Sequence, residues 1–251
     1  MAGKASGVQG GIASLVGFSN ATAQYWCTPD ATTGNFTSPA MKPGTYTQTL
    51  FQGELAVATR SVNVTAGATL GGQNIASTWA NPATLWKIGQ WDGTPLEFEN
   101  GSNIPLMHSS DTRNGSWGPV TFTVGSSATN TFPAAQWVEE NQPTTIKFNL
   151  TAAQVAAHTV RIGLTAATAG GRPSITVNAF NSANPSATTQ PSSRSLTIGT
   201  YRGDNALLTY NVPASAFVSG TNTMVIHVIS GSSGTGFLSP GFSYDAVELD
   251  D

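Results

Sequence analysis

Apolar and polar positions along the chain fall into two regimes. Between residues 3 and 72 the apolar residues come in short alternating runs separated by turn residues. Asp30-Ala31-Thr32-Thr33-Gly34-Asn35-Phe36 reads as a turn into a strand, with Gly34 supplying a left-handed position. Met41-Lys42-Pro43-Gly44 reads as a second turn, of type II by its Pro-Gly pair, and residues 45–51 follow as a run of β-formers. Gln52-Gly53-Glu54 reverses the chain into Leu55-Ala56-Val57-Ala58-Thr59, a hairpin by its spacing. At Val62-Asn63-Val64 the apolar phase has moved by one position relative to Leu55 and Val57, which predicts a bulge or bend near Arg60. The stretch is expected to form a small sandwich of about five to seven short strands.

Residues 66–83 are rich in Gly, Ala, Thr and Asn and end at Asn81-Pro82, the composition of a hinge. The boundary is expected near Ser77, giving domains of residues 1–77 and 78–251. Beyond it the strands lengthen. Ile146-Phe148-Leu150, Val160-Ile162-Leu164, Ile175-Val177 and Leu208-Tyr210-Val212 each alternate with polar or small residues, the mark of one buried face. Residues 224–229 are apolar on both faces and are expected to form a central strand; residues 242–249 would close the fold. Two segments look helical, each about two turns long. One is residues 151–157, with Thr151 as N-cap and Gln154 at N3; the other opens at Pro213 and stops by Gly220. Strands spaced this way over about 170 residues predict a jelly roll.

Composition agrees with that reading. Thr, Ser, Gly and Asn are abundant while Lys, Glu and Leu are scarce, which disfavours helix and favours strand. Charged residues are 9% of 251 and the net charge is −3, so no basic stripe exists to neutralise phosphates and nucleic acid is not an expected partner. No apolar run approaches the roughly 20 residues of a membrane span. Met1-Ala2-Gly3-Lys4 opens the chain without an apolar signal segment, which fits a cytosolic protein or a piece of a secreted one. Sequons at Asn20, Asn35, Asn63, Asn100, Asn114 and Asn149 lean weakly toward secretion. Cys27 is the single cysteine, so no disulfide can close within these residues; it reads as a small hydrophobe, an inter-domain bridge or a reactive thiol.

Several strings are specific when taken together. They are Gly17-Phe18-Ser19-Asn20, the turn and strand at residues 38–46, Gly53-Glu54-Leu55-Ala56-Val57-Ala58-Thr59, Trp86-Lys87-Ile88-Gly89, Trp91-Asp92-Gly93-Thr94-Pro95 and Phe132-Pro133-Ala134-Ala135-Gln136-Trp137. To these is added the C-terminal stretch from Gly231 to Leu249. In order and spacing the set resembles the C-terminal half of fungal rhamnogalacturonan lyases of polysaccharide lyase family 4, over nearly the whole chain. The resemblance implies an all-β pair: a fibronectin-III-like spacer sandwich followed by a carbohydrate-binding-like jelly roll. It further implies a secreted parent acting on pectic rhamnogalacturonan I. The family's catalytic Lys and His lie in a preceding domain, and no segment here matches that domain. Catalytic residues are therefore expected in none of these positions, and a separate N-terminal lyase domain is an implied partner.

The residues themselves assemble no proton-transfer machinery. Lys87, Lys147, His108, His158 and His227 are the available bases for a β-elimination. His158 and His227 fall on strands as structural histidines, and His108 could pair with Asp111 but reads as a loop brace. Glu139 and Glu140 are adjacent, so on a strand they face opposite ways and cannot flank one bond. The glycine-rich stretch at residues 231–236 lacks both the Lys of a phosphate loop and a following helix. No His/Cys zinc spacing occurs.

Sugar recognition needs less: aromatic faces for the apolar side of a pyranose, and planar polar groups for hydroxyls and carboxylates. Loop residues next to Gly or Pro supply candidates in Trp91, Asp111, Arg113, Trp117, Arg172, Tyr201, Arg202 and Asp204. Trp79, Trp86 and Trp137 are assigned to the core or a domain interface. A structural Ca²⁺ held by Asp92, Glu97, Asp245 and Asp250 is a further expectation. Three roles stay open beside sugar binding. The pair could brace a catalytic domain, which requires an exposed apolar face; it could be a fragment that itself retains the parent's lyase activity; or it could be a stand-alone adhesion module.

Overall fold

The computed structural model describes residues 1–78, 83–187, 195–203 and 205–251, so Trp79, the Asn81-Pro82 hinge and Asp204 lie outside the described residues. The chain forms two compact units, one from residues 1–81 with 91–93 and the other from residues 82–90 with 94–251. Among the described residues helical structure is confined to single 3-10 turns, and no helix is long and apolar enough to cross a membrane.

Among the described residues the first unit is a sandwich of seven strands, as its turn punctuation predicts. Its strands are β1 (Ala2–Ser6), β2 (Ser14–Ser19), β3 (Gln24–Cys27), β4 (Asn35–Thr37), β5 (Gly44–Gln52), β6 (Leu55–Val64) and β7 (Ile75–Ala76). One sheet runs β3-β2-β5-β6 and the other β4-β1-β7, with β1 and β7 parallel. Val16, Phe18, Leu50 and Val62 face inward from the first sheet, and Phe18 meets Phe36 of the second at 6.4 Å between ring centroids. The expected bulge exists but lies earlier than Arg60. Leu50 pairs with Ala58 and Phe51 with Ala56, so Val57 is the extra residue, and the buried phase changes there. Arg60 is regular and binds Gln48 Oε1 (2.8 Å) and Gln73 Oε1 (2.6 Å). Nor is residues 41–44 a type II turn. Gly44 has φ 151°, far from the roughly 80° such a turn needs, and it opens β5 directly. Cys27 is half-buried, its Sγ lies 3.8 Å from the Val16 carbonyl, and burial pushes its thiol pKa up, away from thiolate reactivity.

Among the described residues the second unit holds ten strands in two sheets, the all-β sandwich expected. They are β8 (Thr84–Gly89), β9 (Val120–Thr123), β10 (Ala135–Trp137), β11 (Thr144–Leu150), β12 (His158–Thr168), β13 (Arg172–Val177), β14 (Phe180–Asn181), β15 (Ala206–Val212), β16 (Gly220–Ile229) and β17 (Gly241–Asp250). One sheet runs β10-β17-β12-β15 with β8 also alongside β17; the other runs β14-β13-β16-β11-β9. β16 is central, as expected, yet it alternates: Met224, Ile226 and Val228 are buried while His227 is exposed.

The doubly buried strand is β17, hidden along all ten residues, together with nearly all of β12. Its polar positions therefore need internal partners. Glu248 faces Arg161 across the ladder and accepts from its Nη1 at 2.8 Å. Nearby, Gln136 Oε1 accepts from Tyr244 (2.5 Å) and Thr144 (2.8 Å). The 3-10 turn Leu196–Ile198 lies against both β17 and β12. In the strand-free stretch before β9, Phe98 packs against Gly89 and 5.2 Å from Phe132, and Ile104 is buried. Both helix expectations shorten to one 3-10 turn, at Ala152–Gln154 and Ala214–Ala216. Gln154 reaches back to the Thr151 backbone N–H at 2.9 Å, so the cap chemistry was real, but the strands on either side leave room for one turn only.

Candidate loop site on the second unit

Three loops of the second unit meet. Residues 106–117 are held by their own side chains. Trp117 Nε1 donates to the Ser109 carbonyl at 3.0 Å, and Asn114 Nδ2 donates to the carbonyls of His108 and Ser109. The turn at residues 195–202 lies against this loop at Gly199, whose left-handed backbone (φ 86°) is in tight contact with the Met107 carbonyl. The third loop brings Phe237, which packs edge-on against Trp117 (6.2 Å) and Trp137 (5.1 Å) and lies 6.4 Å from the His108 ring. His108 turns its ring to Ser110, accepting the Ser110 N–H on Nδ1 at 3.1 Å, while its carbonyl accepts the Asp111 N–H at 2.8 Å, so it braces the loop.

The polar feature of this junction is a planar fork. Arg113 donates through Nε to Asp111 Oδ1 (3.0 Å) and through Nη2 to Oδ2 (2.8 Å), and its side chain is 72% exposed. These side-chain bonds, with a third from the Arg113 backbone N–H, lower the Asp111 carboxyl pKa to about 2. A folded-state value below the ordinary 3.9 or so means the pairing contributes stability fully above that pH and loses it as pH falls through about 2. The Asp111 carboxyl carbon should therefore titrate by NMR with a midpoint near 2, and Arg113→Gln should return it toward the ordinary value. A midpoint already ordinary in the unsubstituted chain would mean the fork does not persist in solution.

The other candidates divide. Trp91 and Tyr201 are fully buried and cannot offer a stacking face: Trp91 belongs to the first unit, where its carbonyl accepts from Gln52 Nε2, and the Tyr201 ring joins the core of the second. Arg202 is exposed, with its guanidinium carbon 5.5 Å from the Tyr201 ring centre. Trp117 is half-buried and committed to the Trp137–Phe237 cluster, 5.0 Å from Trp137. Arg172 spends its guanidinium on the carbonyls of Pro185 (2.6 Å) and Gly170 (3.1 Å).

Two of the carboxylates expected to hold Ca²⁺ have polar partners within the protein. Glu97 accepts the Gln90 N–H at 2.8 Å; Asp250 accepts from Thr84 Oγ1 at 3.1 Å and lies 3.6 Å from Arg161 Nη1, where a cation would compete with the guanidinium. Asp245 is buried in β17 and Asp92 belongs to the first unit. Among the described residues no three His, Cys, Asp or Glu are grouped so as to hold a metal ion.

The sequence reading passed over the apolar part of the junction. Leu106, Ile198 and Leu238 are 81%, 66% and 58% exposed, one on each converging loop. The signal was present: large aliphatics at Leu106-Met107, Ile198 and Leu238 amid Gly, Ser and Thr, where loops are otherwise polar.

Relatives of the chain can be set beside this geometry. Family models for domain II and domain III of polysaccharide lyase family 4 match residues 1–71 and 84–249, the latter described as carbohydrate-binding-like. Rhamnogalacturonate lyase A of Aspergillus aculeatus is 50% identical over 249 residues, which is 99% of this chain and 47% of that protein. A probable rhamnogalacturonate lyase A of Aspergillus fumigatus is 49% identical over 99% of this chain and 47% of its own length. A putative rhamnogalacturonase of Neurospora crassa is 49% identical over 98% and 46% respectively. The chain spans about half the length of these relatives. A solved structure of CBM51-2 and INT domains from Clostridium perfringens ZmpB, with GlcNAc, overlaps at a TM-score of 0.26 and 11% identity over 90% of this chain and 43% of that one, too slight a likeness to carry an argument. Through domains II and III, matched in order along nearly its whole length, the chain belongs to polysaccharide lyase family 4.

Proposed function

We propose that these units are the non-catalytic C-terminal portion of a secreted rhamnogalacturonan lyase, and that the loop junction of the second unit seats them against the lyase domain of the same polypeptide. By that contact they position the lyase domain on the pectin backbone. The observation that carries this reading is the set of three exposed aliphatic side chains on three converging loops, Leu106, Ile198 and Leu238. Burying them would release on the order of 4 kcal/mol, and the Arg113–Asp111 fork and Arg202 form the polar rim that such an interface needs. A sugar would instead seek aromatic faces, and here Trp91 and Tyr201 are hidden while Trp117 is packed.

Calorimetric titration with the remaining half of a relative tests the reading. Binding is expected, with Leu106→Asp and Ile198→Asp each weakening it about tenfold or more. Neither change should lower the chain's own thermal midpoint, because both side chains are exposed. Absence of binding, or binding indifferent to both substitutions, would refute it.

A second reading has one observation in its favour. The Arg113–Asp111 fork is planar, exposed and net neutral, the geometry that reads a pair of sugar hydroxyls, and Arg202 supplies a cation for a uronate. On that reading the junction holds the rhamnogalacturonan I backbone directly, and Arg113→Ala abolishes a saturable response to rhamnogalacturonan oligosaccharides.

A further inference from the structure

We propose that the outer face of the first unit's four-stranded sheet carries a shelf for one neutral sugar ring of a glycan, centred on Trp26. This goes beyond the reading above and does not rest on it.

Trp26 lies on the edge strand β3 and is 45% exposed, the one exposed large aromatic among the described residues. Its position is fixed by the sequence beneath it. Gly17 is its neighbour across the ladder, and a Cβ placed on Gly17 would fall 2.5 Å from the indole Cζ3, so the ring lies against glycine backbone. Phe51 supports it from the side, with ring centroids 5.6 Å apart and planes at 48°. A rigid ring held down by a glycine and flanked by a second aromatic is prepaid in conformational entropy, which is what a weak ligand requires.

The surroundings select the ligand. The same row continues from Gly17 to Thr49 and on to Thr59, placing hydroxyls beside the rings. None of the outward positions on β2, β3, β5 and β6 is charged, by the register of the sheet. An apolar ring bordered by hydroxyls and lacking any cation suits a neutral sugar and gives a uronate carboxylate nothing to pair with. Size excludes a protein partner. Forty-five per cent of an indole is about 100 Å², against roughly 800 Å² per side for a stable protein interface, and it matches one sugar face.

The test follows the Trp26 indole N–H resonance in the intact chain as cellotetraose or galactotetraose is added, with tetragalacturonate as the charged comparison. The neutral tetramers should give a saturable shift in the millimolar range, with tetragalacturonate at least about tenfold weaker. By calorimetry Trp26→Ala should lose about tenfold or more in affinity and Trp26→Tyr should retain most of it, whereas Lys147→Ala, at an exposed position of β11 in the second unit, should match the unsubstituted chain. No saturable shift, an equal preference for the charged tetramer, or unchanged affinity in a folded Trp26→Ala would overturn the proposal. So would a Trp26 shift that follows protein concentration without sugar, which would mark the face as a contact between copies.

Discussion

Replacing Arg161 by Met should cost the second unit about 3–5 kcal/mol, a large part of the 5–15 kcal/mol by which a domain is normally stable. Arg161 lies on β12 opposite Glu248 of β17, with the side chains nearly inaccessible, 2.8 Å apart, and the Asp250 carboxylate 3.6 Å from the same Nη1. Met fills much the same volume but takes the Arg161 guanidinium away from two buried carboxylates. The penalty is the desolvation of those carboxylates, since a buried pair earns little over an apolar one of equal shape. Glu248→Leu added to Arg161→Met should therefore recover part of the loss. Urea unfolding followed on the second unit measures both. If Arg161→Met unfolds within about 1 kcal/mol of the unsubstituted chain, water reaches these groups and the sheet is not covered on both faces.

Gly199→Ala should disassemble the loop junction. Its φ of 86° costs a residue with a Cβ about 1–2 kcal/mol, and that Cβ would also overlap the Met107 carbonyl and press on the His108 nitrogen at 2.9 Å. Backbone cannot rotate away as a side chain end can, so residues 106–108 and 195–202 must part. A loss of about 2–4 kcal/mol is expected, with the Trp117 indole resonance shifting and binding to the lyase half falling further than for Leu106→Asp alone. Retention of both stability and binding would mean the two loops are not in contact in solution.

The two predictions draw on different depths of sequence information. Alternation at Ile146-Phe148-Leu150 and Ile175-Val177 reports one buried face, and β11 and β13 bury those positions. It is silent about the roof over β12 and β17: Gly163, Thr165 and Ala166 look like outward positions in the sequence, yet they are buried, and the turn at Leu196–Ile198 lies against both strands. The bulge at Val57 was legible as a phase change but not to the residue, since Ala58 suits either face. At the site, Arg113 and Asp111 were legible because they share a turn. Trp91 and Trp26 were not: both sit among turn and strand residues, and only the fold buries one and lays the other on Gly17.

The account stands on the loop junction being a seat for the rest of a lyase polypeptide, and hydrogen exchange addresses that directly. Residues 106–117, 195–203 and 235–238 should exchange within seconds to minutes in the isolated chain wherever their amides lack partners. The same amides should slow by about a hundredfold when these domains are part of an intact rhamnogalacturonan lyase, with strands such as β16 unchanged. Identical exchange of all three loops in the two settings would contradict the account and leave the junction to the sugar.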